Sequence, residues 1–199
     1  ISVGFRKEGF IAWEDAVARA SEGPVEEVWR RAANVVSGDV ANMQYTSGTT
    51  GFPKGVMLTH HNIVNNGKCI GDRMDLSTAD RMMIQVPMFN CFGMVLAMTA
   101  SMTHGATVLP LPYFSPKPAL ACINEEKITA FHGVPTMFIA LLEHPDFPKT
   151  DFSCMRTGIM AGSPCPVSVM KDVTEKMNMK EITIVYGQTE ASPGCTMSS

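Results

Sequence analysis

Apolar and polar positions along this chain follow two periods that alternate. Short apolar runs closed by turn residues read as strands, and the longer amphipathic stretches after them read as helices. The first forty residues are helical in pattern, around Trp13 to Arg19 and from Val25 to Val36. Val25, Val28, Trp29, Ala32 and Val35/Val36 form one apolar stripe. Extended runs follow at Asn42–Thr46 and Val56–Leu58. Thr59 is placed as the N-cap of a helix running to about Met74. Beyond it, strands are expected at Arg81–Val86, Ala106–Leu109, Ile128–Phe131, Thr157–Met160 and, as the last, Ile182–Val185. The helices between them are Cys91–Met102, Pro116–Glu126, Pro135–Glu143 and Pro166–Met177. This succession predicts an α/β fold, a largely parallel sheet with helices on both faces. Residues 1–41 form a helical lead-in and residues 42–199 the α/β body.

Between the two extended runs near residue 50 lies Tyr45-Thr46-Ser47-Gly48-Thr49-Thr50-Gly51-Phe52-Pro53-Lys54-Gly55. Glycines let main-chain N–H groups approach an anion closely. Ser and Thr hydroxyls donate to phosphate oxygens, and Lys54 adds a compact positive charge. This is the chemistry of a loop that grips nucleotide phosphates. The Walker pattern does not fit, because Pro53 precedes the lysine, Gly55 follows it, and a strand rather than a helix comes next. A plain Ser/Thr/Gly turn without a ligand is the competing reading.

The segment Thr46–Gly55 resembles the phosphate-loop signature of the adenylate-forming superfamily: acyl-CoA synthetases, aryl-CoA ligases, peptide-synthetase adenylation domains and luciferases. Further matches follow in that family's order. Leu58-Thr59-His60-His61-Asn62 is similar to its "LTH.N" helix start and Pro87-Met88-Phe89-Asn90 to its "P-x-F-H" turn. Gly133-Val134-Pro135-Thr136 is similar to "G-V-P-T", Ala161-Gly162-Ser163-Pro164 to the adenine-side "G-x-P" turn, and Tyr186-Gly187-Gln188-Thr189-Glu190 to "Y-G-x-T-E". Tyr186 to Pro193 looks most like medium- and long-chain fatty-acyl ligases. Members of the superfamily are longer, so the chain is expected to be an internal fragment of the large N-terminal domain.

The resemblance implies ATP-dependent formation of an acyl-adenylate with release of pyrophosphate, then displacement of AMP by a thiol, with ATP, Mg²⁺ and coenzyme A taking part. Lys54, Thr189 and Glu190 are the implied catalytic residues. Thr46, Ser47, Gly48, Thr49, Thr50, Gly51 and Lys54 hold the β- and γ-phosphates. Thr189 binds the α-phosphate and Glu190 ligates Mg²⁺. Gly162, Ser163, Pro164, Tyr186 and Gly187 line the adenine. Asn90 departs from the family's usual His beside the acyl and thiol channel. It cannot carry charge or move a proton, and it cannot pair with an α-ammonium as an Asp does at this turn in amino-acid-activating relatives. A carboxylic acid of fatty type is therefore the expected substrate. A carrier protein as thiol acceptor and a non-catalytic nucleotide-binding module are the alternatives.

Composition adds bounds. A chain of 199 residues with a net charge of −3 has no electrostatic reason to bind nucleic acid or an anionic membrane. Its longest apolar run, Cys91–Met102, is too short to span a bilayer. The six cysteines show no C-x-x-C and read as reduced, mostly buried thiols, which points to the cytoplasm. The sixteen methionines are read mainly as core filler. His60, His61, His104, His132 and His144 lack metal-ligand spacing and are read as structural. An apolar face left uncovered is expected to favour self-association.

Overall fold

The computed structural model describes residues 1–20, 23, 25–47 and 51–198. Two compact units are present, Ile1–Asp39 and Val40–Ser199. In the first, helices α1 (Trp13–Ala20) and α2 (Val25–Ala32) bury no residue, and Trp29 on the apolar stripe is 70% exposed. The stripe predicts a helix to Val36, but α2 ends at Ala32 and a turn takes over.

The second unit opens with an antiparallel hairpin of β1 (Val40–Thr46) and β2 (Lys54–Thr59). Helix α3 (His60–Arg73) leaves β2 directly. Thr59 caps it: its hydroxyl accepts from the Asn62 N–H at 3.2 Å while Asn62 Oδ1 accepts from the Thr59 N–H at 3.2 Å.

A six-stranded sheet follows. Its strands are β3 (Arg81–Ile84), β4 (Thr107–Pro110), β5 (Ala130–Gly133), β6 (Thr157–Ala161), β7 (Glu181–Gly187) and β8 (Gly194–Met197), in the order β4-β3-β5-β6-β7-β8. All pairs are parallel except β7–β8. The antiparallel β8 corrects the expectation that Ile182–Val185 is the last strand. Gly194-Cys195-Thr196-Met197 carries only two apolar side chains and follows the turn residues Ser192-Pro193, so its pairing with β7 is what makes it a strand.

Successive strand residues face opposite layers, so two cores form. Met83, Phe131 and Met160 pack under α5 (Pro116–Glu126), α6 (Pro135–Leu142) and α7 (Val167–Lys176). Met82, Ala130 and Ile159 pack on the other face with Ile70 and Met74 of α3 and its C-terminal end, and with Leu96, Ala97 and Ala100. The last three belong to a segment expected as one α-helix. It is instead a π-helix, Phe92–Thr99, continued by α4 (Ala100–His104). Thr99 Oγ1 donates to the Met94 carbonyl five residues back, in keeping with the wider turn.

Gly158 in β6 sits where a Cβ would lie 2.0 Å from the Phe131 carbonyl oxygen and 2.4 Å from Met179 Cε. The backbone atom cannot swing aside, so Gly158→Ala is expected to destabilise the unit by about 2–3 kcal/mol or more, read by urea unfolding. His132 is buried between the layers. Its Nδ1 accepts from the Ile159 N–H at 3.2 Å and its Nε2 donates to the Leu96 carbonyl at 2.9 Å. Burial pulls its pKa from 6.5 down to about 4, against the opposing effect of its backbone hydrogen bonds. An unfolded chain protonates this ring near 6.5 and the folded one only near 4. Its contribution is therefore whole above pH 6.5 and is lost as pH falls to about 4. His132→Gln is expected to flatten that part of the stability–pH curve.

Of the six cysteines, only Cys91 is buried; Cys69, Cys154 and Cys195 are exposed and Cys122 and Cys165 are half-buried, all of them free thiols. The expectation of mostly buried thiols fails because Cys69 and Cys195 sit on exposed faces of α3 and β8 and Cys154 lies in an exposed turn.

Candidate active site

In the parallel part of the sheet the connections run one way from β3 to β4 and the other way from β5 onward. The strand order therefore reverses between β3 and β5, and open α/β sheets bind ligands at the carboxyl ends of strands flanking such a reversal. A cleft of about 370 Å³ lies there, lined by residues that follow β3 (Asn90, Cys91), β5 (Val134), β6 (Gly162) and β7 (Gln188, Thr189). Phe92, Leu96, Ala161 and Val185 make its apolar wall.

Four of the sequence-predicted residues, Asn90, Gly162, Gly187 and Thr189, thus share one cleft. Gly162 has φ +84°, and a Cβ there would come 2.9 Å from Val134 Cγ1, so both the turn and the cleft width call for glycine. Gly187 is equally constrained: a Cβ would meet the Pro193 carbonyl oxygen at 2.2 Å. Ser163 and Pro164 are exposed in the turn after β6, and Tyr186 is exposed opposite Thr196 of β8; none of the three lines the cleft.

Thr189 and Glu190 open a short 3₁₀ turn, Thr189–Ala191. The turn is closed internally, with Ala191 N–H donating to Gln188 O at 2.9 Å and Ser192 N–H to Thr189 O at 3.1 Å. Gln188 N–H spans its mouth to Pro193 O at 3.0 Å. Thr189 is half-buried and Glu190 exposed.

The hydroxyl-rich hairpin reaches the same place. Strand β2 lies against the Thr189–Ala191 turn. Thr46 and Lys54 face each other as the last pair of the hairpin ladder, at the mouth of the loop. Ser47 and Lys54 are exposed, and Gly51 has φ +95°. Gly48, Thr49 and Thr50 lie outside the described residues. Leu58 of β2 packs on Cys91 and Val95, which seats the hairpin on the start of the π-helix.

The sequence reading missed the two groups that fasten this seat. Gln44 in β1 is buried, and its Oε1 accepts from the Cys91 thiol at 3.0 Å. Cys91 in turn lies beside Thr189. Burial pushes its thiol up to about 11, with the Thr189 hydroxyl opposing and the Glu190 charge reinforcing, so at neutral pH it is a neutral hydrogen-bonding group rather than a nucleophile. The only signal in the sequence was adjacency to Asn90. Asn90 itself has a local task as well as a cleft position. Its Oδ1 accepts from the N–H groups of Phe92 at 3.0 Å and Gly93 at 3.4 Å, capping the π-helix.

Among the described residues no group of three His, Cys, Asp or Glu is gathered that could hold a metal. A single exposed carboxylate, Glu190, fits Mg²⁺ that keeps most of its ligands as water and substrate phosphate. Thr189 can donate one hydrogen bond to a phosphoryl oxygen, and Lys54 can neutralise departing phosphate charge.

Residues 7–199 match the family model described as AMP-binding enzyme. The acyl-CoA ligase sidI of Aspergillus fumigatus is 49% identical over 188 residues, which is 94% of this chain and 32% of that protein. The mitochondrial medium-chain acyl-CoA ligase ACSF2 of Mus musculus is 48% identical over 160 residues, 78% of this chain and 26% of that protein. The chain therefore spans about a third or less of the length of these relatives. Among solved structures, the inhibitor-bound N-terminal domain of FACL13 from Mycobacterium tuberculosis superposes with a TM-score of 0.81 at 26% identity, covering 94% of this chain and 46% of that one.

Proposed function

The chain belongs to the family of AMP-binding enzymes, and from that footing we propose that its protein activates a carboxylic acid with ATP, releases pyrophosphate, and passes the acyl group to coenzyme A. One observation carries this reading: β2 of the hydroxyl-rich hairpin rests on the turn bearing Thr189 and Glu190, at the rim of a cleft entered by Asn90 and Gly162. A carboxylate attacking the α-phosphate brings two anions together, so the site must gather compensating charge where phosphorus becomes five-coordinate. Thr46, Ser47, Gly48 to Gly51 and Lys54 take the β- and γ-phosphates. Thr189 would hold the α-phosphate, and Glu190 would hold Mg²⁺, which would supply positive charge against the phosphates. Gly162, Ser163, Pro164, Tyr186 and Gly187 are assigned to the adenine.

The substrate is proposed to be a medium- or long-chain fatty acid. Phe92, Leu96, Val134 and Val185 offer an apolar wall to an acyl chain, and the neutral Asn90 has no charge for an amino acid's ammonium. Pyrophosphate release by the full-length protein across a panel of acids tests this, and turnover of amino acids alone overturns it. Coenzyme A against a phosphopantetheinyl carrier protein, compared as acceptors, separates thioester formation from carrier loading. Residues 1–199 by themselves are proposed to bind ATP weakly, to catalyse nothing, and to self-associate through exposed groups such as Phe52, Met57 and Phe89. A reducing compartment, the cytoplasm, suits six unpaired thiols. No helix among the described residues is long and apolar enough to cross a membrane.

A further inference from the structure

Helix α3 is joined to the sheet's last turn by one side chain that reads both main-chain groups of a single residue. Asn66 Nδ2 donates to the Gly194 carbonyl at 2.9 Å, and Asn66 Oδ1 accepts from the Gly194 N–H at 3.0 Å, across 128 positions of sequence. The fit is close, because a Cβ on Gly194 would lie 3.1 Å from both Asn66 Oδ1 and Ile70 Cδ1. One residue earlier, the Pro193 carbonyl accepts from the Gln188 N–H and so closes the turn that carries Thr189 and Glu190. At its other end α3 begins where β2 stops, held there by the reciprocal Thr59–Asn62 cap.

A continuous rigid path therefore runs from the phosphate hairpin through the cap and two turns of helix to Asn66, then through Gly194 and Pro193 to the Thr189–Glu190 turn. Glu190 is exposed and its short turn has no side-chain cap of its own. Its placement relative to β2 depends on what holds the chain on either side.

We propose that Asn66 is a positioning residue for adenylate formation, fixing the Thr189–Glu190 turn against the phosphate hairpin by its paired bonds to Gly194. The inference rests on the adenylation reading above and adds a residue that touches no substrate. Small displacements of positioned groups cost catalysis heavily, so the effect falls on the half-reaction that uses Thr189 and Glu190.

The test compares wild type, Asn66→Ala and Asn66→Asp in the full-length protein, measuring acid-dependent pyrophosphate exchange and, separately, thioester formation from supplied acyl-adenylate. Asn66→Ala is expected to lower exchange about tenfold or more while leaving the second half-reaction within about twofold. Asn66→Asp carries a chemical signature. As a carboxylate it accepts from the Gly194 N–H but has nothing to donate to the Gly194 carbonyl; protonated, it restores both bonds. An aspartate ordinarily titrates at about 4, so through the assay range it stays the carboxylate and keeps only one bond; its exchange rate is expected to fall severalfold while the second half-reaction again stays within about twofold of wild type. Should Asn66→Ala fail to fold, the Asp variant decides alone. Equal loss in both half-reactions, or no loss in either, overturns the proposal. Wild type without any acid-dependent exchange sinks the adenylation reading and this inference with it, whereas an active wild type with insensitive Asn66 variants sinks this inference only.

Discussion

Glu190→Gln in the full-length protein is expected to lower acid-dependent pyrophosphate exchange about a hundredfold or more, a loss of roughly 3 kcal/mol of transition-state stabilisation. Glutamine keeps the length and the hydrogen-bonding capacity of the side chain and removes only the charge that suits a hard cation. Glu190 is exposed and has no ion-pair partner among the described residues, so the variant's unfolding midpoint should match that of wild type. The magnesium concentration giving half-maximal rate should rise, because the protein's one carboxylate at that turn is gone. Thr189→Val complements it, taking away a phosphate donor while keeping the shape. Full exchange activity in Glu190→Gln at ordinary magnesium concentration would show that the carboxylate has no part in the chemistry.

The second large effect lies at the opposite, amino-terminal ends of the strands. Asp80 is 3% exposed and is gripped by Arg156, whose Nε and Nη2 reach its two oxygens at 3.0 and 2.8 Å. Thr129 Oγ1 donates to it at 2.7 Å and the Ser77 N–H at 2.9 Å. Arg156 continues to the Met74 and Asp75 carbonyls and to Glu181 at 2.7 Å, so one guanidinium ties α3's exit to β3, β6 and β7. Burial works to raise the Asp80 pKa, but Arg156, Thr129 and Ser77 outweigh it and hold the carboxyl below its usual value.

Arg156→Ala leaves that charge buried without its counterion and is expected to cost about 3–5 kcal/mol by urea unfolding near neutral pH. Arg156→Lys should recover only part of this, because an ammonium cannot match the planar fork. Glu181→Gln at the exposed end should cost under about 1 kcal/mol. The pH dependence gives a separate check. In wild type the Asp80 contribution is present above the ordinary carboxylate pKa of 3.8 and is lost as pH falls through the lower folded value. In Arg156→Ala the folded pKa rises, because burial then works without the guanidinium opposing it. The deficit against wild type should therefore shrink as pH falls into the carboxylate range. A deficit that stays constant with pH would mean Arg156 acts through packing alone.

Much of this molecule was legible from residue patterns because the forces involved are local. Pro116–Glu126 appears in the structure with the bounds its pattern predicts, since a proline at the helix start and the apolar spacing behind it act within a few turns. Thr59 was recognisable as a cap because its partner Asn62 is three residues away. What failed depended on distant neighbours. The π-helical turn of Phe92–Thr99 shares its apolar pattern with an α-helix, and the close approach of Gly93 to the Pro87 backbone became visible only in three dimensions. Strand β8 exists because β7 offers an open edge.

The order of turns, strands and small residues thus determined by itself that this chain would be an α/β layer structure with a hydroxyl- and glycine-rich segment between two extended runs and a later Thr–Glu turn. Propensity and periodicity act over a few residues and survive excision from context. Tertiary structure alone decided that Cys91 and Gln44 seat the hairpin, that Gly162 and Thr189 face one cleft while Tyr186 does not, and that Asn66 meets Gly194. Those contacts join residues tens of positions apart, and their energies depend on burial and on which partner satisfies each polar group, quantities that come into being only once the layers close.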